Sequence, residues 1–234
     1  MHVYEPPAFV TERVMSRMGR THALDTIDGA KTALVVVDMQ NYFCAEGFPA
    51  EVPLARAIVP NINRMADAVR AVGGTVVWIQ TSSALALTHW RNFQTRMLSP
   101  DRQRRRIAGL DEASKGFELY PGLDARTDDV WIKKVSYSAF GPNSSDLDAR
   151  LRAGGIDTVL IAGTLTNVCC ETTARDAMLA DYKTVMLSDG NATLTDEEHA
   201  AALNTFMMFF GDVMTTGEAV ARMAPMRVRA FANR

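Results

Sequence analysis

Cysteine is scarce in this chain: there are three among 234 residues, and two of them are adjacent, Cys169 and Cys170. Secreted domains that depend on disulfides carry a larger and even-numbered set. The sequence therefore argues against a disulfide framework and for a reducing compartment. The N-terminus also lacks the apolar core of a signal peptide, so we expect a cytoplasmic protein.

Long hydrophobic runs and an excess of one charge are missing as well. No stretch approaches the ~20 apolar residues of a membrane-spanning helix, which disfavours a membrane protein. The formal net charge of -2 gives no general electrostatic basis for binding nucleic acid. One basic cluster stands out, residues 102–106. Such clusters are usually solvated helix faces or subunit contacts, and a role in binding an anionic substrate is the less favoured alternative.

What the chain does have is a regular alternation of apolar strands and amphipathic helices, with 47% hydrophobic residues. This pattern is typical of βαβ units with right-handed crossovers. We predict a polar N-terminal arm, residues 1–30, followed by one domain, residues 31–234. The predicted strands are 33–38, 75–80, 130–133, 157–162, 183–187 and 212–215, and the predicted helices are 54–72, 145–153, 168–180, 196–209 and a short one from Gly217. A less regular section, 82–128, holds a predicted helix near 89–98.

The most informative segment places a cysteine where a buried strand gives way to a helix. An apolar run ends at Ala162, helical spacing begins at Val168, and Cys169 falls in the first helical turn. The positive end of the helix dipole and unpaired backbone N–H groups there should lower the thiol pKa and hold a developing oxyanion. The alternative is that Cys169 and Cys170 are merely small buried residues. We interpret Cys169 as a candidate nucleophile.

A nucleophilic cysteine usually works with a histidine base. This chain has four histidines, and none lies at a strand end: they are His2 and His22 in the polar arm, His89 after a loop, and His199 on a charged helix face. Another residue must therefore handle the proton.

Two strand ends supply candidates. An apolar strand runs straight into Asp38, and a second one ends in the pair Lys133 and Lys134. Because the carboxyl ends of parallel strands share one edge of a sheet, these residues are expected to meet Cys169 there. Taken singly, Asp38 could cap a turn and either lysine could be a solvated edge charge. Their coincidence on one predicted edge favours a site.

Together with their neighbours, these residues resemble motifs of the isochorismatase-like cysteine hydrolases, and the resemblance covers about residues 30–222. The resemblance rests on Val36–Gln40, on Lys134–Phe140 and on Gly163–Cys169. It implies a three-layer α/β/α domain with a six-stranded parallel sheet. It also implies a catalytic triad, with the positions taken by Asp38, by Lys134 rather than Lys133, and by Cys169 rather than Cys170.

The resemblance further implies a cis peptide bond that does not involve proline, between Thr164 and Leu165. This bond is expected to bring the Leu165 N–H beside the Cys169 N–H as an oxyanion hole. Relatives that are nicotinamidases carry an Asp-x-His metal site near the second strand, whereas residues 80–84 here offer no carboxylate or imidazole. We therefore expect no catalytic metal and no cofactor. True isochorismatases lack the nucleophilic cysteine, so its presence disfavours vinyl ether cleavage.

Among metal-free relatives the chain looks most like ureidoacrylate amidohydrolases and biuret or triuret hydrolases. The implied activity is hydrolysis of a small ureido or carbamoyl amide through a thioester. Asn41, Gln80 and Tyr137 are candidates to hydrogen-bond the substrate, and Phe43 could cover it. For Gln80 and Phe43, packing in the core is an equal alternative. The alternatives for function are a nicotinamidase-type or other small-amide hydrolase, and an idle family member that acts as a binding protein.

Segment 82–128 also bears on assembly. It contains Trp90, Phe93, Met97, Leu98 and Phe117 among polar and basic residues. A connection this long is usually functional or disordered, and its aromatic content disfavours disorder. Aromatic and Met side chains beside arginines are enriched at interfaces. We expect the segment to help close the active site or a subunit interface, and the protein to be a homo-oligomer, a dimer or tetramer.

Overall fold

A six-stranded parallel sheet with helices on both faces forms the centre of the protein, as described by a computed structural model for residues 1–224. The strands are β1 (Ile27–Asp28), β2 (Thr32–Val37), β3 (Thr75–Thr81), β4 (Val130–Lys134), β5 (Thr158–Thr164), β6 (Lys183–Ala192), β7 (Asp212–Met214) and β8 (Met223–Ala224). The helices are α1 (Ala8–Met18), α2 (Asn41–Cys44), α3 (Val59–Ala71), α4 (Ala86–His89), α5 (Pro100–Gly109), α6 (Leu147–Ala153), α7 (Glu171–Leu179), α8 (Asp196–Phe209) and α9 (Thr216–Arg222). This confirms the predicted three-layer α/β/α fold.

Strand β2 lies inside the sheet, whose order is β4-β3-β2-β5-β6-β7. All six of its residues are buried, because each face of the strand packs against a different hydrophobic core. Leu34 and Val36 join the core under α3 and α9, whereas Val35 and Val37 join the core under α1, α7 and α8. A strand covered on both faces reads as a continuous apolar run, which is why the sequence marks it so clearly.

The register of the strands brings their carboxyl ends to one edge. Val37 pairs with Ile79 on one side and with Gly163 on the other, and Thr81 pairs with Lys134. Position 163 must be glycine, since its φ is 119° and an added Cβ would lie 2.0 Å from the Val37 carbonyl oxygen. This close approach of β5 to β2 sets the distance between the residues that follow both strands.

Most predicted elements are confirmed, with shifted ends. Helix α8 has the predicted bounds, because the Thr195 side chain accepts the Glu198 N–H and caps its first turn. The predicted helix 54–72 is divided into a 3-10 helix, Pro53–Ile58, and α3. The predicted helix 168–180 begins instead as a π-helical turn, Thr166–Cys170, that continues into α7.

The prediction for segment 82–128 was wrong in detail. A single helix near 89–98 was expected, but the chain forms α4, a π-helical turn at Phe93–Met97, and then α5. Helix α5 begins because Ser99 caps it, with Pro100 at its first position. The basic cluster 102–106 lies on this unpredicted helix. As expected, the segment contributes no strand of its own within the described chain, only an isolated bridge from Leu119 to Gln40.

The N-terminal arm contributes side chains to the hydrophobic core, although its sequence had suggested a polar segment. Helix α1 lies within it, packs against α8 and buries Val10 and Val14 in the core shared with α7. Strand β1 pairs in parallel with β8 as a separate two-stranded sheet. No helix among residues 1–224 is long and apolar enough to cross a membrane.

Candidate active site

Asp38 and Lys134 form a fully buried ion pair at the carboxyl edge of the sheet. Lys134 Nζ lies 2.8 Å from Asp38 Oδ2, and the side chains are 1% and 0% exposed. The Thr81 hydroxyl joins them, since it donates to Asp38 Oδ1 at 2.8 Å and accepts from Lys134 Nζ at 2.7 Å. Sequence reasoning missed Thr81, although its position at the end of β3, between β2 and β4, was a usable signal.

Alternation along β4 decides which lysine reaches this site. Lys134 points inward, whereas Lys133 is exposed and pairs with Glu112. Asp38 is held by backbone geometry instead, with a left-handed φ of 54° and an N–H that donates to the Ile79 carbonyl. The turn that follows β2 thus aims the carboxylate back over the sheet edge.

Cys169 is the third predicted residue at this edge. Both members of the ion pair act on its thiol, since the Lys134 charge lowers its pKa and Asp38 raises it. Asp38 Oδ2, the oxygen of the ion pair, receives no hydrogen bond of good geometry from the described chain. It therefore has a lone pair available for a proton from the thiol. Cys170 is completely buried in the core beneath α7.

The expectation that the helix terminus would lower the Cys169 pKa was wrong. Burial raises the pKa of this thiol to about 12, Lys134 lowers it and Asp38 raises it further. Desolvation disfavours the thiolate more strongly than the neighbouring ammonium group favours it, because that ammonium is already paired with a carboxylate. The resting site therefore holds a neutral thiol beside an ion pair.

The turn before Cys169 contains the expected cis peptide bond between Thr164 and Leu165. The Thr164 hydroxyl donates to the Asp38 carbonyl oxygen at 3.1 Å, which ties this turn to the end of β2. Within residues 1–224, the Leu165 N–H donates to no protein acceptor. This donor is free to bind an oxygen atom from outside the chain.

The predicted substrate contacts fall into two groups. Asn41 and Gln80 are buried, and their amide groups donate to the carbonyl oxygens of Lys115 and Phe117, both at 2.9 Å. Phe43 is 3% exposed and packs in the core beside Tyr42. These contacts match the packing alternative for Gln80 and Phe43, and substrate contact by any of the three stays a prediction.

Tyr137 differs, because it packs against aromatic residues of segment 82–128. It is half-buried, and burial and then the charge of Cys169 raise its pKa. Its ring meets the stacked rings of Trp90 and Phe93 edge to face, with centroid separations of 4.7 and 5.3 Å. Trp90 and Phe93 stack on each other at 3.9 Å. Part of segment 82–128 thus packs directly on Tyr137.

A cleft of about 390 Å³ opens beside Leu165, in the turn that precedes Cys169. We call it the arginine cleft, because three residues of the basic cluster line it. Its lining includes Tyr42, Leu98, Arg102, Arg105, Arg106 and Leu165. Leu165 carries the free N–H described above, so the cleft adjoins the candidate oxyanion hole. From the sequence, a role of the basic cluster in binding an anionic substrate was only the less favoured alternative.

His199 does not lie on a charged surface, as the sequence had suggested. It is 1% exposed, and its Nδ1 lies 2.9 Å from the Thr166 hydroxyl oxygen in the turn before Cys169. Burial and then the charge of His2 lower the pKa of His199 to about 4. A neutral imidazole therefore supports the nucleophile turn from behind. The acidic residues around His199 had suggested an exposed helix face, but His199 lies on the side of α8 that packs against the protein.

No group of three His, Cys, Asp or Glu side chains in the described chain is arranged to hold a metal ion. The groups present at this edge are a thiol, an ion pair, a hydroxyl group and the free Leu165 N–H. These groups suit nucleophilic attack with proton transfer.

Comparison with known proteins identifies similar hydrolases. The ureidoacrylate amidohydrolase of Variovorax paradoxus is 32% identical over 215 residues, covering 85% of this chain and 84% of that protein. A cysteine hydrolase from Pseudomonas syringae superimposes with a TM-score of 0.74 at 32% identity, covering 84% of this chain and 94% of the other. N-carbamoylsarcosine amidase from Thermoplasma acidophilum gives a TM-score of 0.64 at 27% identity, with coverage of 80% and 96%. Residues 32–218 match the isochorismatase domain, and the chain is accordingly a hydrolase of the isochorismatase family.

Proposed function

We propose that this hydrolase cleaves a C–N bond of a small ureido or carbamoyl amide, of the ureidoacrylate, biuret or triuret type, through a thioester on Cys169. The observation that carries the proposal is the buried ion pair of Asp38 and Lys134 beside the Cys169 thiol. Similarity to a ureidoacrylate amidohydrolase and to an N-carbamoylsarcosine amidase supports the substrate class.

A purely structural role is a poor explanation for this ion pair. Two charges buried without water cost several kcal/mol each to desolvate, and well-packed apolar residues often stabilise a core as well or better. The pair lies next to a thiol, at the sheet edge where α/β proteins bind their ligands. Catalysis supplies the reason for keeping both charges there.

In the first step, Asp38 accepts the thiol proton as Cys169 sulfur attacks the substrate carbonyl carbon. A separate deprotonation is not needed beforehand, which suits a thiol whose pKa is raised by burial. Lys134 stabilises the negative charge that spreads over the carboxylate and sulfur. The Leu165 and Cys169 N–H groups bind the carbonyl oxygen as it becomes an oxyanion.

Collapse of this intermediate breaks the C–N bond. Asp38 returns its proton to the leaving nitrogen, which departs as ammonia or an amine and leaves an acyl group on Cys169 as a thioester. Water then attacks the thioester while Asp38 accepts a proton from it. The tetrahedral intermediate formed by water then collapses and releases the acid. The departing Cys169 sulfur takes the proton back from Asp38, which restores the thiol and the carboxylate.

The test is a screen for ammonia release from ureides, biuret-type compounds, carbamoyl amino acids and nicotinamide. We expect turnover with at least one ureido or carbamoyl compound, together with an acylated Cys169 detected by mass spectrometry after rapid acid quenching. Cys169→Ala is the control and should give neither. If none of the compounds releases ammonia, the result would favour the alternative that the protein is an idle family member that acts as a binding protein.

The same screen, repeated after dialysis against a chelator, separates the nicotinamidase alternative. The proposed reaction needs no metal, because its proton transfers and charge stabilisation use Asp38, Lys134 and backbone donors. We expect full activity after chelation. Activity with nicotinamide that is lost on chelation and restored by zinc or manganese would contradict the proposal.

A further inference from the structure

The arginine cleft has a positive charge that the protein itself does not neutralise. Arg105 pairs with Asp101 on the same helix, but Arg102 and Arg106 form no ion pair with a described residue. The acidic residue at the cleft, Glu51, is already bound by Arg56 and by the Gly47 N–H, each at 2.8 Å. The cleft therefore offers unpaired guanidinium groups to whatever binds in it.

Arg106 is held in place by aromatic rings instead of a carboxylate. Its guanidinium carbon lies 5.8 Å from the Trp90 ring centroid and 5.6 Å from that of Phe93. Because Trp90 and Phe93 stack on each other at 3.9 Å, a guanidinium nearly equidistant from both lies beside this aromatic pair, which restricts it without using its N–H donors. The planar fork of these donors suits bidentate binding of a carboxylate.

Arg106 also lies close to the reacting groups. It lines the cleft together with Leu165, and it lines a second, small pocket together with Thr81, the residue that bonds to the buried ion pair. The charge of Arg106 also opposes the effect of burial on the pKa values of Cys169 and Tyr137. An anion bound by Arg106 would therefore lie beside the sheet edge that carries the ion pair.

We propose that Arg106 binds a carboxylate of the substrate, with Arg102 and Arg105 attracting it at the outer part of the cleft. This inference rests on the proposed function and narrows the range of substrates proposed there. The preferred amide is a ureido or carbamoyl acid, and neutral biuret-type compounds are poor substrates. Arg106 is thus a specificity-determining residue, and the basic cluster is more than a solvated helix face.

The test compares two compounds with the same carbamoyl group, N-carbamoyl-β-alanine and neutral propylurea. We expect the wild-type enzyme to prefer the acid. Loss of a charge-assisted hydrogen bond in Arg106→Gln should lower kcat/KM for the acid by roughly 10- to 100-fold, mainly through KM, and should leave propylurea within about twofold. Arg106→Lys should recover part of the loss, because it keeps the charge.

Arg104→Gln is the matched control, because Arg104 lies on the same helix but is 72% exposed and does not line the cleft. It should behave as wild type. Equal losses on both compounds in Arg106→Gln, or a wild-type preference for propylurea, would overturn the proposal.

A binding measurement keeps this proposal separate from the proposed function. If the screen finds no amide that is hydrolysed, N-carbamoyl-β-alanine is titrated calorimetrically into Cys169→Ala and into Cys169→Ala with Arg106→Gln. Binding that is weakened at least tenfold by the second substitution would support the carboxylate site even without hydrolysis. Equal affinities, or no binding to either variant, would refute it.

Discussion

His2 stacks face to face on His199, with ring centroids 4.4 Å apart and an interplanar angle of 19°. His2 also bonds to Asp196 and to the backbone of Thr193, so it is held on both sides of its ring. Since His199 bonds to Thr166, the start of the chain supports the turn that carries Cys169. The N-terminal arm is therefore part of the structure around the site.

This stack predicts a stability that depends on pH. The pKa of His199 is about 4 in the folded protein and 6.5 when unperturbed. Between these values the unfolded chain binds more protons, so the free energy of unfolding falls as the pH decreases from 6.5 toward 4. His199→Gln, which can still bond to Thr166, should show a shallower fall in melting temperature over this range. His89→Gln, an exposed control, should follow the wild type, and parallel curves for all three would contradict the assignment.

The buried thiol predicts an unusual resting state for a nucleophilic cysteine. Because burial raises the pKa of Cys169 to about 12, the free enzyme should hold it as a thiol at neutral pH. The ultraviolet absorbance of thiolate should show no contribution from Cys169 between about pH 6 and pH 9. The measurement is a difference titration between the wild type and Cys169→Ala. A thiolate that titrates below neutral pH would mean that Lys134 outweighs desolvation.

The two adjacent cysteines should differ completely in function. Cys169→Ala is expected to abolish turnover, because it removes the group beside Asp38 and Lys134. Cys170→Ala should keep most of the activity and show a lower melting temperature, since Cys170 is 0% exposed in the core. Activity of both variants is measured well below their melting temperatures. If Cys170→Ala were the inactive variant, the assignment of the nucleophile would be off by one residue.

The two adjacent lysines should differ in the same way. Lys134→Ala is expected to lower turnover by orders of magnitude and to cost about 3–5 kcal/mol of stability, because it leaves the Asp38 carboxylate buried without its partner. Lys133→Ala removes an exposed pair with Glu112 and should cost less than about 1 kcal/mol, with little loss of activity. Unfolding in denaturant and steady-state kinetics check both. Similar kinetic losses in the two variants would show that β4 is oriented incorrectly.

The expected homo-oligomer stays a prediction, and segment 82–128 gives a place to test it. This segment exposes Leu85, Leu87 and Met97, which are 50%, 51% and 75% exposed. Light scattering at micromolar concentration should give a multiple of 25.7 kDa. Leu87→Glu with Met97→Glu would then reduce the mass if these residues form the interface. A wild-type mass near that of one chain would contradict the oligomer.

Local sequence patterns were enough to predict most of the fold. Strand β2 is covered on both faces and so reads as an unbroken apolar run, and α8 carries its own Thr195 cap. The choice of Lys134 over Lys133 followed from the family resemblance, and the alternation of buried and exposed residues along β4 agrees with it. These features depend on residues that are neighbours along the chain, which is why they can be recognised in the sequence.

Tertiary contacts decided the rest. Thr81 joins the ion pair only because β3 lies between β2 and β4, and Arg106 reaches the site only because α5 folds back over Trp90 and Phe93. Hydrogen bonds, stacking and desolvation act between residues that are distant along the chain, and no local pattern encodes them. The sequence by itself determined which side chains end the strands; the packing around them determined that Cys169 rests as a neutral thiol, that His199 is buried, and that the basic cluster faces the cleft.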